Sequence, residues 1–264
     1  MIWKFLEPIT RVTAVPTVVH ATHAKAGSSW IRDILAVIFR EHVAPRGPWV
    51  AKDTGGDLSK HVFEPGRIYP AMFMTREEVL AHSELDGAAR FFVLRDLRDT
   101  LVSLYFSLKV SHPLDESGKK KAERETLQAL SMEDGLLHLI ERHLRRVSTI
   151  QRSWLDCGEI VLRYEDLLKD DVLMITDLIR NRLGVKVSSL RIAQAVKRRR
   201  FESVFKRKLG SEDVSSHGRK GEPGDWKNHF TPAVCDAFRE RYGDLLIASG
   251  YEKDGRWAEA TANR

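Results

Sequence analysis

The chain has 264 residues, of which 42% are hydrophobic and 30% are charged, an ordinary balance for a globular protein. This composition excludes a disordered tail, a collagen-like fibre and a small disulfide scaffold. The 43 Lys and Arg residues exceed the 37 Asp and Glu residues by six charges. That excess indicates an anionic partner, although net charge does not say whether it is a nucleic acid, a membrane or a phosphorylated small molecule.

The two cysteines, Cys157 and Cys235, lie far apart in the sequence. They predict a reducing compartment, no disulfide framework and no metal site. The sequence contains no signal-peptide pattern and no run approaching the roughly 18 apolar residues of a membrane span. We therefore expect one cytoplasmic domain over residues 1–264. The oligomeric state stays open, with a homodimer as one option.

The first predicted unit is a strand followed by a helix. Residues 15–21 are β-branched and apolar, and Ile31, Ile34 and Ile38 later share one helical face. Residues 24–30 between them read Ala-Lys-Ala-Gly-Ser-Ser-Trp. A helix start presents unpaired N–H groups, a glycine lets a phosphate approach the backbone, and a lysine adds a charge. The lysine precedes the glycine, so the pattern differs from the phosphate loop of nucleotide-dependent kinases.

Two further units repeat this order. Residues 91–94 predict a strand that leads to Arg95 and to a helix over residues 101–108, which includes Ser103. Residues 160–162 predict a strand followed by Arg-Tyr-Glu-Asp and a helical stretch to about residue 182. Alternating short strands and amphipathic helices predict an α/β fold with a central parallel sheet covered by helices on both faces. Ligands of such sheets bind where the strands end, and each unit has a polar cluster there.

Three segments lie between or beside these units. Residues of about 110–135 are polar and charged, which predicts either a mobile flap over the acceptor site or a solvated insertion loop. Ser131 is typical of a helix N-cap, and the pattern after it predicts one long helix to about Trp154. Residues 60–74 predict a loop and a short strand.

The charge excess lies in the C-terminal part of the chain. Residues 195–227 hold ten Lys and Arg against five Asp and Glu. The basic run 197–208 is compatible with nucleic-acid binding or with a solvated face. Within residues 219–231, Arg-Lys-Gly predicts a compact anion clamp, and Thr231 with Pro232 predicts the start of a helix.

Four segments together resemble the motifs of the cytosolic-type sulfotransferase family, in the family's order: residues 21–30, 92–103, 162–167 and 219–231. The resemblance implies a P-loop-like fold and the donor 3′-phosphoadenosine 5′-phosphosulfate (PAPS), which leaves adenosine 3′,5′-bisphosphate as product. It implies in-line transfer of the sulfuryl group to a hydroxyl, with an amine as second choice, of a small-molecule or lipid acceptor. No nucleic-acid partner is then expected. The alternatives are a family member that binds the cofactor without transferring sulfate and a nucleic-acid-binding protein that uses the basic run 197–208.

The resemblance also assigns residues. It implies that the 5′-phosphosulfate is bound by the loop made of Lys25, Ala26, Gly27, Ser28 and Ser29. It implies that the 3′-phosphate is bound by Arg95, Ser103, Arg219, Lys220 and Gly221. It implies that the adenine is contacted by Trp30, Tyr164 and Phe201. In this assignment Lys25 neutralises the leaving phosphate, and Ser103 orients Lys25.

The general base is the point where the sequence departs from the family. The family's histidine would stand in residues 67–74, which read Arg-Ile-Tyr-Pro-Ala-Met-Phe-Met. The remaining candidates are His61, His23 and Glu64. We expect His61 to be the base because it lies nearest the missing element. His112 follows the second helix, at the acceptor mouth or on the surface.

Overall fold

The computed structural model describes residues 15–47, 61–114 and 118–258. Four parallel strands form one sheet in the order β2-β1-β3-β4. The strands are β1 (Val18–Thr22), β2 (Ile68–Met72), β3 (Ala89–Leu94) and β4 (Ile160–Arg163). The three predicted strands are present, and the segment 60–74 supplies the fourth. The predicted α/β fold with a parallel sheet is confirmed.

Eleven α-helices surround the sheet in the described part of the chain. They are α1 (Ser28–Phe39), α2 (Arg76–Leu80), α3 (Leu97–Phe106), α4 (Lys119–Ala129), α5 (Met132–Arg142), α6 (Leu144–Ser153), α7 (Tyr164–Lys169), α8 (Asp171–Asp177), α9 (Ser189–Arg198), α10 (Phe201–Phe205) and α11 (Pro232–Ala248). Among these described helices, we find none that combines the length and the apolar character needed to cross a membrane.

Helices bury both faces of the sheet, which explains why the strands are apolar at successive positions. On β3, Phe91 and Val93 pack into a core shared with α1, α8 and α9. Phe92 and Leu94 point to the opposite face, where the ring of Phe92 stacks on Trp154 at 5.6 Å between centroids. A third core lies mainly between α3, α5 and α11.

Two stretches that were predicted to be continuous helices are each interrupted, so these two predictions were wrong. Ser131 caps α5 as predicted, but the helix is interrupted at His143, whose imidazole contacts Glu123 on α4. The stretch after β4 is interrupted at Asp170, whose backbone leaves the helical region with φ −131° and ψ 46°. Both interruptions occur within stretches whose apolar residues keep a helical spacing, so this spacing alone does not reveal them.

The segment of about 110–135 contains a helix instead of an open loop. α4 occupies its middle, and the guanidinium of Arg124 donates hydrogen bonds to the carbonyl oxygens of Leu108 and His112. These bonds attach α4 to the end of α3. Residues 115–117 lie outside the described residues. The mobility of this segment stays a prediction.

Candidate active site

The site lies at the carboxyl edge of the sheet, where β1 and β3 end side by side. Thr22 pairs with Val93, so the residues that follow the two strands are neighbours. The backbone N–H of Arg95 donates to Nε2 of His23 at 3.3 Å, and its Nη1 donates to the carbonyl oxygen of Lys25 at 3.1 Å. Two motifs 70 residues apart in sequence are therefore joined directly.

The phosphate loop, residues 24–29, depends on a close approach by Tyr164. Lys25 and Gly27 both have left-handed backbones, with φ of 67° and 80°. A Cβ at Gly27 would lie 2.8 Å from Cδ2 of Tyr164, so only glycine fits beneath that ring. Ser28 and Ser29 then begin α1 with their N–H groups at the helix N-terminus, which favours anions.

Tyr164 also connects the loop to the C-terminal clamp, residues 219–221. Its Oη donates to the carbonyl oxygen of Gly221 at 3.2 Å. A Cβ at Gly221 would lie 2.7 Å from Cδ2 of Phe201. The edge of Trp30 meets the Tyr164 ring at 6.0 Å between centroids. The three residues assigned to the adenine therefore lie beside the phosphate loop and the clamp, and Tyr164 contacts both of these segments.

The two cations of the clamp share Asp225, and each has a further acidic partner, Glu212 for Arg219 and Glu222, at 3.9 Å, for Lys220. Asp225 forms ion pairs with Lys220, at 2.5 Å, and with Arg219. Burial alone would raise the pKa of Asp225, but hydrogen bonds from His229, Lys220, Arg219 and Asn228 outweigh it and hold the pKa well below its usual range. Asp225 thus remains charged and fixes the direction of both cations.

Asp99 connects the clamp segment to α3. Its carboxylate accepts hydrogen bonds from the N–H groups of Gly224, at 2.6 Å, and Trp226, at 3.0 Å. Asp99, Ser103 and Phe106 are spaced to share one face of α3, and Phe106 lies under the guanidinium of Arg219 at 4.3 Å. The spacing places Ser103 on the helix face that meets the clamp segment, and its role toward the cofactor stays a prediction.

The electrostatics of the site favour an anion. Burial and the charges of Arg95 and Arg219 lower the pKa of Lys25 to about 8. Among the buried nitrogens of the described residues that have no hydrogen-bond partner, three lie at this site: Nε of Arg95, Nε of Arg219 and Nε1 of Trp30. Buried donors without partners are costly, and a phosphate would satisfy such cationic donors. The residues present therefore fit a nucleotide that carries phosphates at two positions.

Sequence reasoning missed the acidic residues that organise these cations. Glu165 accepts hydrogen bonds from the N–H of Asp96 at 3.0 Å and from the hydroxyl of Tyr251 at 2.6 Å, so it joins the ends of β3 and β4. Asp99 and Asp225 have the roles described above. All three acidic residues lie inside the motifs that resemble the family. Their position in those motifs is the sequence signal that could have identified them.

Some cations of the basic run 197–208 form hydrogen bonds within the protein. Arg200 donates two hydrogen bonds of 2.8 Å to the carboxylate of Asp171. Arg207 donates to the carbonyl oxygens of Ser211, Gly218 and Arg219 and thereby shapes the loop before the clamp. These two cations have structural roles that the sequence did not reveal.

The three candidate bases have different environments. In His23, Nε2 accepts the Arg95 N–H and Nδ1 lies 2.9 Å from the Ala24 carbonyl oxygen, so both ring nitrogens are engaged. Burial lowers the pKa of His23 to about 4. Glu64 is exposed and pairs with Arg67 at 2.9 Å. The half-buried ring of His61 meets the edge of Phe63 at 4.7 Å between centroids.

Two further histidines lie within the electrostatic reach of Lys25. Burial, together with the charges of Lys120 and Lys25, lowers the pKa of His112 to about 4. The charge of Lys25, followed by burial, lowers the pKa of His217. Both rings are therefore neutral near pH 7. Whether His112 lies at the acceptor mouth or on the surface, the two alternatives that the sequence left open, stays a prediction.

Comparison with known proteins places the chain in a family. Residues 88–250 match the family described as the sulfotransferase domain. The 3-alpha-hydroxysteroid sulfotransferase of Cavia porcellus is 25% identical over 253 residues, which cover 87% of this chain and 83% of that protein. Sulfotransferase 1C2 of Homo sapiens is 25% identical over 257 residues, covering 84% and 80%.

Solved structures agree on the fold. Mouse sulfotransferase SULT7A1 complexed with PAP superposes with a TM-score of 0.62 at 18% identity, over 93% of this chain and 87% of that one. Retinol dehydratase in complex with androsterone and PAP gives a TM-score of 0.54 at 16% identity, over 90% and 83%. The family match covers more than half of the chain and contains the second and third motifs and the clamp. The resemblance is confirmed, and the chain belongs to the sulfotransferase family.

Proposed function

We propose that this sulfotransferase moves the sulfuryl group of PAPS onto a hydroxyl group of a small molecule, with Lys25 neutralising the leaving phosphate. The observation that carries the proposal is the connected set of Lys25, Arg95 and Arg219, two of which present buried donors without partners in the described chain. The hydroxysteroid sulfotransferases among the relatives support an alcohol as acceptor.

The residues divide between two anionic positions and a flat base. The N–H groups that begin α1, together with Lys25, Ser28 and Ser29, would hold the 5′-phosphosulfate. Arg95 and the C-terminal clamp, with Ser103 beside them, would hold the 3′-phosphate. The aromatic rings of Trp30, Tyr164 and Phe201 would enclose the adenine. When bound, PAPS supplies the activated sulfuryl group.

Lys25 then contributes by stabilising charge and forms no covalent bond. Its ammonium stabilises the negative charge that grows on the leaving phosphate oxygen, a contribution that strengthens as water is excluded. Arg95 fixes the backbone of Lys25 through the 3.1 Å hydrogen bond from its Nη1. Ser103 would orient the ammonium before the acceptor enters.

For the proton of the acceptor hydroxyl we propose His61. Two facts count against the other sequence candidates, whereas the described contacts of His61 lead through Phe63 to Tyr69 near the start of β2 and to His82 before β3. Both ring nitrogens of His23 are already hydrogen bonded, and Glu64 is a surface residue paired with Arg67. Imidazole is also the side chain best suited to accept a proton near neutral pH.

Adenosine 3′,5′-bisphosphate should stabilise the protein against heat, whereas ATP should not, because only the bisphosphate presents a 3′-phosphate to the clamp. At about 100 times its Kd a ligand adds about 2.7 kcal/mol, and this raises Tm by roughly 5–10 °C for a chain of this size. Thermal-shift titrations with both nucleotides measure the difference. Equal shifts from both, or no shift from either, would refute the proposed site.

Affinity for the bisphosphate should fall as pH rises above about 8. An anionic ligand raises the pKa of Lys25, which stands at about 8 in the free protein. Between the second ionisation of the ligand's phosphates, at about pH 6, and this value, both partners keep their charge and the affinity is constant; above it, binding must take up a proton. Burial raises the pKa of Tyr164, and His112 and His217 are already neutral, so Lys25 alone of these titrates in this range.

Calorimetry at about pH 8.5 in buffers of different ionisation enthalpy measures that proton uptake directly. Lys25→Arg is the matched control, because a guanidinium stays charged throughout this range. The control should bind with no pH dependence between about pH 8 and pH 9.5. An equal decline in both proteins would show that another group is responsible.

A further inference from the structure

A cluster of metal-ligating side chains lies outside the cofactor site. Nε2 of His138 is 2.8 Å from Oε1 of Glu123, and Nε2 of His143 is 2.9 Å from the same oxygen. The ligand atoms of all three residues lie within 4.8 Å of one another. Glu123 belongs to α4, His138 to α5, and His143 to the break between α5 and α6. Three elements therefore direct one donor atom each to the same point.

The donor set matches a transition-metal ion. Two imidazole nitrogens and one carboxylate oxygen are ligands that Zn²⁺ takes in proteins, with a fourth position left to water. Tetrahedral Zn²⁺ with bonds near 2.1 Å requires donor atoms about 3.3 Å apart. The two imidazole–carboxylate distances, 2.8 and 2.9 Å, need to widen by roughly half an ångström.

The cluster is partly shielded but reachable. The exposed fractions of the side chains are 20% for His138, 17% for Glu123 and 35% for His143. This exposure gives an ion a path from solvent and room for a water ligand. It also lowers the cost of placing a cation there, compared with a buried site.

We propose that Glu123, His138 and His143 form a Zn²⁺ site that joins α4 to the break between α5 and α6. The site does not depend on the proposed sulfuryl transfer. It differs from the sequence expectation of no metal, because the three ligands belong to no spacing motif and meet only after α4 packs beside α5.

The site has a structural consequence for α4. Arg124, next to Glu123, attaches α4 to the carbonyl oxygens of Leu108 and His112 at the end of α3. His112 in turn lies within the electrostatic reach of Lys25. A bound ion would therefore fix α4 on two sides, through Glu123 on one and Arg124 on the other.

Titration of the untagged, metal-free full chain with Zn²⁺ tests the site, and Co²⁺ serves as a spectroscopic probe of coordination. We expect one ion per chain and the absorption bands of a four-coordinate cobalt with imidazole ligands. Glu123→Gln and His138→Ala should each weaken binding at least about tenfold, since even the loss of an outer-sphere partner costs about 10–100-fold.

Glu125→Gln is the matched control: it lies two residues away on α4, is exposed, and pairs only loosely with Lys121 at 3.9 Å. It should bind Zn²⁺ as the unaltered chain does. Circular dichroism of each metal-free variant verifies the fold, and His143→Ala replaces any variant that does not fold. Absence of stoichiometric binding in the unaltered chain, or equal binding by Glu123→Gln and Glu125→Gln, would overturn the proposal.

Discussion

Lys25→Ala should lower the turnover of sulfuryl transfer by about a thousandfold, the upper range for removal of one charge-stabilising donor. Lys25 is the cation of the phosphate loop, and its backbone is fixed by Arg95. Its ammonium matters most when charge develops on the leaving phosphate, so kcat should fall more than the affinity for adenosine 3′,5′-bisphosphate. Steady-state rates and calorimetric binding on the same samples separate the two effects.

Lys227→Ala is the control for this variant. Lys227 is an exposed lysine of the same charge, 5.8 Å from the ring of Trp226, and it belongs to no predicted contact with the cofactor. It should retain nearly full turnover. If Lys25→Ala were as active as Lys227→Ala, the role of Lys25 would be refuted.

His61→Ala should lower turnover at least about a hundredfold, the low end for the loss of a general base. The physical reason is that the acceptor hydroxyl must lose its proton as it attacks, and alanine offers no basic atom. Added imidazole should restore part of the activity if the missing function is proton transfer, because it can occupy the space that the side chain leaves. Rescue that increases with the basicity of a series of added imidazoles identifies proton transfer, since restored packing against Phe63 does not depend on basicity.

His112→Ala provides the comparison, since His112 is the neutral, half-buried histidine coupled to Lys25. We expect this variant to raise KM for the acceptor and to change kcat little. The reverse pattern, a hundredfold loss in His112→Ala beside an active His61→Ala, would transfer the role of base to His112.

The parts of the fold that could be predicted are those encoded locally. Residues 24–30 contain the loop, the glycine and the helix start within seven positions, so the phosphate site follows from adjacent residues. The N-caps Ser131 and Thr231 were likewise predicted because a cap and the N–H groups it satisfies are neighbours in sequence. The parallel sheet follows from repeated strand–helix units.

The parts that could not be predicted depend on contacts between distant residues. Asp99 holds the turn at Gly224, 125 residues later, and nothing near Asp99 indicates that partner. The break at His143 accompanies a contact with Glu123 on another helix. The local pattern around each of these residues is compatible with an ordinary amphipathic helix, and tertiary contacts decide the outcome.

The central claim is that the cationic edge of the sheet serves transfer of a sulfuryl group and not nucleotide binding alone. The most direct measurement is the release of adenosine 3′,5′-bisphosphate from PAPS in the presence of hydroxysteroids, phenols and amines, with the unaltered chain and Lys25→Ala side by side. The account predicts release that depends on a hydroxyl acceptor and is lost in Lys25→Ala. Tight binding of the bisphosphate without acceptor-dependent release from any of these compounds would contradict it.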